Sequence, residues 1–523
     1  MNSRGWARVP LALASLSAAT YVAAADATPE PGPPCGSQPA LVLPADPEQA
    51  VHWGAKIPRT VTLLATSTPA RRHPVKILMY GQSISGGMKD SCFEPELRAL
   101  FPHALLTYEN RSIGGFSANQ LARTAAIDLP LAYPDLVILH VYGQSAIDYE
   151  RILADIRRRT TAEIMVWTDH YGTAGQPGDA EHLARIARED EASQIVRTLA
   201  VKYDCELVDV RRSWKAYLDA NRLQPADLLS DAVHLNARGK ALLTALLLRH
   251  FRPHPGTGTP WFERVRSYEA KRHSDAGFAD EIVFTGTPWK FRGSDAVGDD
   301  ARSALKLTFT GNRIDVVRGD LAGLRPGTAR VLIDGRPPSG IPELYAFTLP
   351  SPAFGADYQP GLRYLSARAP LQLEDWTLRV LETSEDGFSF EVHGSRTGFD
   401  GRARFALGKL KRSRFGVLDF SAAEGDLPER FVSNSQRVVI DYRDLKVLWG
   451  QERAKQLSPP GWEIKWSVVP QFTDTFAPAS LDESGRITLA QGLAHGEHTL
   501  ELVPNGDGPV PIRAIEVHRP PLR

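Results

Sequence analysis

Cysteine is scarce, with three residues, Cys35, Cys92 and Cys205, spread over 523 positions. That count excludes both a disulfide-framed mini-domain and a paired CxxC zinc site. Charge of one sign is lacking too, because 61 Lys and Arg face 61 Asp and Glu. Without a net basic field the chain has no general grip on a nucleic-acid backbone or an anionic membrane. HExxH, a Gly-rich phosphate loop and a strand-linked Gly-x-Gly-x-x-Gly are all missing, which leaves metal, nucleotide and hydride chemistry without sequence support. Beyond residue 25 no apolar run approaches the roughly 18 residues of a membrane helix.

The N-terminus does hold one apolar run. Arg4 and Arg8 precede an uncharged, alanine-rich stretch from Val9 to Ala25, closing on Ala23-Ala24-Ala25 before Asp26. A basic start, a short apolar centre and a small-residue end form the layout of a cleavable secretory signal, residues 1–25, rather than of a retained anchor. The expectation is a secreted or periplasmic mature protein with no stable membrane insertion. Residues 26–40, including TPEPGPPCGSQPA, are Pro/Gly-rich and aperiodic, which is linker composition. An oxidising compartment permits a Cys35 to Cys92 bridge, although three cysteines leave the pairing open. Cys205, at the edge of a strand pattern, reads as a small buried hydrophobe.

Two rhythms divide the remainder, which is long enough for several domain-sized units. Between residues 75 and 250 the apolar runs VKILMY, ALLTYEN, DLVILHVY, AEIMVW and ELVDV alternate with amphipathic stretches, among them Ala146 to Arg158, Ala180 to Tyr203 and Ala237 to Arg249. Short buried strands alternating with helices predict an α/β domain on a parallel sheet, over residues 41–253. After Phe251 comes a second linker, RPHPGTGTP, and then two-residue alternation: ALKLTF, NRIDVV, ARVLID, WTLRVL, GFSFEV, RVVIDY, WEIKWSVV, RITLAQ, HTLELV and IRAIEV. This predicts an antiparallel β-sandwich region over residues 254–523, either one sandwich with a large insertion or two modules. TVTLLATS, ahead of Val75, is expected to add a strand to one half or the other.

The first strand runs straight into Gly81-Gln82-Ser83-Ile84-Ser85-Gly86-Gly87, which sets a serine in the turn at the edge where open α/β sheets bind ligands. It is not the Gly-x-Ser-x-Gly elbow of the α/β-hydrolases, because Ser85 stands at the last position of that pattern. Gly-Gln-Ser recurs at Gly143-Gln144-Ser145, so the tripeptide alone names no nucleophile. A second element is Asp231-Ala232-Val233-His234, just before the last helix. Asp three residues ahead of His lets the carboxylate orient an imidazole that takes a serine proton. Asp179-Ala180-Glu181-His182 has the same spacing but opens a helix, where Asp179 reads as the cap. The plain alternative for residues 231–236 is a helix start with Asn236 as cap and His234 a partly buried polar residue. Thr168-Asp169-His170-Tyr171, after the fourth strand, reads as a structural cluster outside the catalytic set.

Taken together, Ser83 after the first strand, Asn110-Arg111-Ser112-Ile113-Gly114-Gly115 after the second, Gly143-Gln144 after the third, and Asp231 with His234 before the last helix form a pattern. Over about residues 75–250 it resembles the SGNH hydrolases, or GDSL-type esterases. The resemblance implies a flavodoxin-like, three-layer parallel sheet. Residue by residue, it implies Ser83 as nucleophile with its N–H as one oxyanion donor, Gly115 as a second donor, Asp231 as the orienting acid and His234 as the general base. Two positions depart from the family. Gln82 stands where Asp is usual, and Gln144 stands where an Asn is, so Gln144 is assigned the third oxyanion contact from one methylene further out. One such donor is typically worth about 2.7 to 4 kcal/mol of barrier. The Gly-Gln-Ser form also resembles the nucleophile block of some acetyl esterases acting on sugars.

In the second half Trp289, Trp376, Trp449, Trp462 and Trp466 look exposed enough to stack on sugars, although most sandwich tryptophans are core. Gly311-Asn312-Arg313-Ile314-Asp315, Asp334-Gly335 and Gly496-Glu497-His498-Thr499-Leu500 loosely resemble jelly-roll modules of exported carbohydrate-active enzymes, implying a carbohydrate-binding or scaffolding role. Asp334-Gly335 equally fits a hairpin turn. The expectation is an exported serine esterase that removes a short acyl group, chiefly acetyl, from a carbohydrate or polysaccharide, with no metal, no organic cofactor and no nucleic-acid partner. Acyl transfer to a sugar hydroxyl, a glycosidase on the same edge and a non-catalytic carbohydrate-binding protein stay open as alternatives, as does the oligomeric state.

Overall fold

The computed structural model describes residues 35, 41–143, 146–173, 178–255, 264–270, 282–383, 387–406, 430–445 and 458–522. The expected signal segment and most of both linkers lie outside these residues. Cys35 and Cys92 are disulfide-bonded, while Cys205 is free and buried.

Each of the five apolar runs becomes a strand: β1 (Pro74–Gly81), β2 (Leu105–Asn110), β3 (Leu136–His140), β4 (Glu163–Trp167) and β5 (Glu206–Val208). All pairs are parallel, in the order β2-β1-β3-β4-β5, which is the flavodoxin-like order. Every residue of β3 and β4 is buried because helices cover both faces of the sheet. Side chains alternate along β1, so Ile77 and Met79 enter a core with Trp214 and Leu242, while Leu78 and Tyr80 enter a second core with Leu121 and Leu153.

The helices are α1 (Pro47–Ala50), α2 (Pro58–Ala65), α3 (Ser83–Gly86), α4 (Phe93–Leu100), α5 (Ala118–Ala132), α6 (Ala146–Arg159), α7 (Ala180–Lys202), α8 (Val210–Asn221) and α9 (Ala237–Leu248). Asp179 caps α7, accepting from the His182 N–H at 2.8 Å, and Asn236 caps α9 through the Gly239 N–H at 3.0 Å.

The strand expected from TVTLLATS does not form, because those residues belong largely to α2. Thr and Val favour strands, but Pro58 sits in the first turn, and the buried Glu163 carboxylate accepts the N–H groups of Arg59 and Thr60, each at 2.8 Å. With its orphan donors satisfied, the helix buries Val61 and Leu64 against the sheet.

The second half is antiparallel. Among the described residues, one large sheet is built around Ala304–Arg318, Arg486–Pro504 and Val510–His518. ALKLTF and NRIDVV therefore form one strand rather than two, with register shifts near Gly311 and Ile314, and RITLAQ and HTLELV likewise merge. RVVIDY contributes only Val439–Ile440 before a 3-10 turn. A five-stranded sheet runs in the order Tyr345–Phe347, Glu463–Pro470, Asp375–Thr383, Gly387–Gly394, Gly398–Ala406. Its strands lie in sequence between two strands of the large sheet, Ala329–Ile333 and Thr475–Phe476. Trp289, Trp376 and Trp466 are buried, and Trp462 packs against the core that holds Trp376 and Trp466, so these rings serve the cores rather than the surface. Trp449 lies outside the described residues. Asp334 and Gly335 both have left-handed φ, 52° and 73°, as a two-residue hairpin turn requires.

The two halves are tied by polar contacts. Tyr133 Oη donates to Asn312 Oδ1 at 2.7 Å, Asn312 Nδ2 to the Arg159 carbonyl at 2.9 Å, and Gln491 Nε2 to the Pro130 carbonyl at 2.9 Å. Arg123 pairs with Asp444 and lies over the Tyr364 ring.

Candidate active site

Strand β1 ends at Gly81 and α3 begins at Ser83, so the serine sits at the carboxyl edge of the sheet. The turn is tight. A Cβ on Gly81 would lie 2.0 Å from the His140 carbonyl oxygen and 2.2 Å from Ser85 Oγ, which leaves only glycine room there. Ser85 is fully buried and its hydroxyl donates to the His140 carbonyl at 3.3 Å, so it braces the turn. Gln82, where the family has Asp, donates from Nε2 to the Tyr142 carbonyl at 3.2 Å, linking the β1 and β3 loops.

The loop after β2 lies alongside. Asn110 Nδ2 donates to the Ser85 carbonyl at 2.7 Å, and its Oδ1 accepts the Ser112 N–H at 3.1 Å. Gly115 adopts φ +77°, a left-handed conformation that glycine takes without strain. A point one Cβ length from Gly114 is 3.9 Å from Ser83 Cβ and 3.5 Å from Cε2 of Tyr358. Tyr358 belongs to the hairpin Pro352–Ala353 with Ala356–Pro360 of the second half, and the residue is 52% exposed, its ring edge against Gly114.

Asp231 and His234 are in direct contact. Oδ2 lies 2.6 Å from His234 Nδ1, while Oδ1 accepts the N–H groups of Val233 at 2.8 Å and of His234 at 2.7 Å. A carboxylate only accepts, so Nδ1 carries the proton and Nε2 is left as the basic nitrogen. Burial acts to raise the Asp231 carboxyl, but the two backbone N–H groups and the imidazole outweigh it and hold the group below the ordinary aspartate value. Lys240, six residues past His234, packs its Cε 3.8 Å from the Cβ position of Gly87, four residues past Ser83. The first turn of α9, which follows the base loop, thereby packs against the segment that follows α3, while no hydrogen bond joins Ser83 to His234 among the described residues.

The cluster Thr168-Asp169-His170-Tyr171, set aside in the sequence as structural, braces this edge. Asp169 pairs with His140 Nε2 at 3.0 Å and accepts the Gly143 N–H at 3.0 Å, fixing the loop after β3. His170 donates from Nε2 to the Val233 carbonyl at 2.7 Å, and the Thr173 N–H reaches the Ala232 carbonyl at 2.8 Å, so the base loop is pinned between Asp231 and His234. Burial lowers His170 to about 4, which keeps its ring neutral. Beneath it Glu189 takes Arg211 at 2.7 Å, Arg185 at 2.8 Å and the Tyr142 hydroxyl. Gln144 lies outside the described residues. No local signal distinguished the bracing roles of Asp169 and His170, because their partners His140, Gly143 and Val233 are distant in sequence.

Among the described residues Asp315, Glu516 and His518 are close enough to share a metal. Each carboxylate already faces an arginine, Asp315 with Arg313 at 2.8 Å and Glu516 with Arg486 at 2.7 Å, so the group works as an ion-pair network on the large sheet.

Residues 79–242 match the GDSL-like lipase/acylhydrolase family. This stretch is a GDSL-type ester hydrolase domain. Its Ser83 turn, Gly115 loop and Asp231–His234 couple all fall inside the matched span. Solved structures similar to the chain include an acetyl xylan esterase at 19% identity, covering 33% of this chain and 98% of its own, with a TM-score of 0.29. Another acetyl xylan esterase, from Geobacillus stearothermophilus, has 16% identity and covers 35% of this chain and 96% of its own, with a TM-score of 0.30. A two-domain esterase active on acetylated mannans, co-crystallized with mannopentaose, has 12% identity and reaches beyond the GDSL domain, covering 90% of this chain and 97% of its own, with a TM-score of 0.30. No curated protein matches the chain.

Proposed function

We propose that the protein is an exported serine esterase that removes a short acyl group, chiefly acetyl, from a carbohydrate. The observation that carries this reading is the closed Asp231–His234 couple, which leaves Nε2 as base on the sheet edge that also holds Ser83. Ser83 Oγ attacks the ester carbonyl and gives its proton to His234 Nε2. The ring then protonates the departing sugar oxygen. Water, deprotonated by the same nitrogen, resolves the acyl-enzyme and releases the acid. The Ser83 and Gly115 N–H groups, with Gln144, receive the oxyanion.

The half-exposed Tyr358, its ring edge against Gly114, supports a sugar as the alcohol part of the ester, since an aromatic face packs on the apolar face of a pyranose. The N-terminal signal pattern and the disulfide-bonded Cys35 and Cys92 support an oxidising destination outside the cytoplasm.

The test is acetate release from acetylated xylans, mannans and bacterial polysaccharides by the full-length protein and by Ser83→Ala. The expected result is release that the variant loses. Equal release by both proteins would remove Ser83 as nucleophile, and silence across the panel and on aryl acetates would sink the reading.

A further inference from the structure

We propose that Gln359, carried by the second half, is a positioning residue of the oxyanion hole, a step that rests on the esterase reading above. Its Nε2 donates to the Gly114 carbonyl at 2.6 Å across a sequence separation of 245 residues. That carbonyl and the Gly115 N–H are opposite ends of one planar peptide. Holding the oxygen therefore aims the N–H. The need for a hold is real, because two successive glycines, the second at φ +77°, let this peptide swing more freely than any other pair would. Donation into the carbonyl also polarises the amide and makes its N–H a stronger donor.

The rest of the side chain points the same way. Gln359 is 5% exposed, and its Oε1 is buried without a hydrogen-bond partner among the described residues. Burial shields the Nε2 donation to Gly114 from competition with solvent. The carrier is rigid. The Gly361 N–H donates to the Ser351 carbonyl at 2.9 Å, and a Cβ on Gly361 would lie 2.4 Å from Ile464 Cδ1, so the hairpin lies flat on the strand Glu463–Pro470. Buried Arg363 donates its backbone N–H to the Asp444 carbonyl at 2.9 Å and sets its guanidinium 5.4 Å from the ring centre of Phe116, the residue after Gly115. The Gly143 N–H on the neighbouring loop is already taken by Asp169, which increases the weight on Gly115.

Gln359→Leu keeps the bulk and removes the donor. With para-nitrophenyl acetate as substrate for the full-length protein, kcat is expected to fall about ten- to a hundredfold, short of the loss of a whole donor, with KM and melting temperature held. A second readout is independent of turnover. The sequence has two Gly-Gly pairs, Gly86-Gly87 and Gly114-Gly115, so glycine labelled at both carbonyl carbon and nitrogen yields carbonyl-linked amide signals for Gly87 and Gly115 alone. The Gly115 signal is expected to move in Gln359→Leu while the Gly87 signal stays. A wild-type kcat, or an unmoved Gly115 signal, overturns the proposal. So does a loss of kcat that comes only with a lowered melting temperature and equal movement of both signals, since that marks packing. A wild type no faster than Ser83→Ala defeats the esterase reading instead, and the Gly115 signal recognises that case by moving regardless.

Discussion

Asp231 holds its loop as much as its histidine. One carboxylate oxygen closes two backbone N–H groups and the other faces Nδ1, so the ring's tautomer and the loop's shape depend on the same ionised group. His170 closes the loop from the other side by donating to the Val233 carbonyl. Because burial lowers His170 from the ordinary 6.5 to about 4, the unfolded chain binds a proton there between those values and the folded chain does not. Stability therefore falls as pH drops from 6.5 toward 4, and buried His250 and His518, also lowered, add to the same trend. In His170→Gln the slope of unfolding free energy against pH in this window should be smaller by up to about 1.4 kcal/mol per pH unit. Denaturant titrations at pH 4.5, 5.5 and 6.5 check this, and parallel slopes for both proteins would count against a neutral His170.

The hairpin of residues 352–360 carries side chains of the second half to the loops at the end of β1 and β2. It brings Tyr358 and Gln359 to the glycine loop. Tyr358→Ala removes the ring and leaves the Asp231–His234 couple untouched. Its KM for acetylated oligosaccharides is expected to rise about five- to tenfold, equivalent to roughly 1 kcal/mol of stacking, with kcat on para-nitrophenyl acetate retained. Steady-state kinetics on both substrates separate these effects, and an unchanged oligosaccharide KM would take Tyr358 out of the sugar site. Helix α2 shows how an element's identity is settled from outside. Residues 60–67 carry strand-favouring Thr and Val, and the carboxylate that secures the helix start comes from Glu163, about a hundred residues later. Propensity over a short window is worth less than two satisfied helix donors and a buried apolar face.

At the scale of the molecule, the second half is fastened to the first near the site. Arg123 on α5 makes a two-pronged pair with Asp444, whose side chain is 2% exposed and whose carboxyl burial pushes up. Arg123→Met strands that carboxylate, with an expected loss of about 3 kcal/mol on denaturant unfolding. The sign of the pH effect follows. A carboxyl raised in the folded state binds a proton that the unfolded chain has released, so the deficit grows as pH rises above the ordinary aspartate value. Arg123→Met with Asp444→Leu should recover most of the loss, and a double variant as weak as the single one would refute the stranded charge as its cause.

Local signals lie within a few residues of each other, and those were legible in the sequence. The five apolar runs, the serine turn after the first, the Asp179 cap and the three-residue step from Asp231 to His234 each depend on strand or helix period or on one turn. They determined the parallel α/β half, the antiparallel rhythm of the remainder and the resemblance to GDSL-type hydrolases. The tertiary structure alone decided that α2 is a helix, that Trp289, Trp376 and Trp466 are core, that His170 pins the Asp231–His234 loop, and that Tyr358 and Gln359 reach the Gly114–Gly115 loop. Those contacts join backbone carbonyls and rings from distant strands. Chain closure over such distances is selected by packing of whole layers, and no spacing within a single segment encodes it.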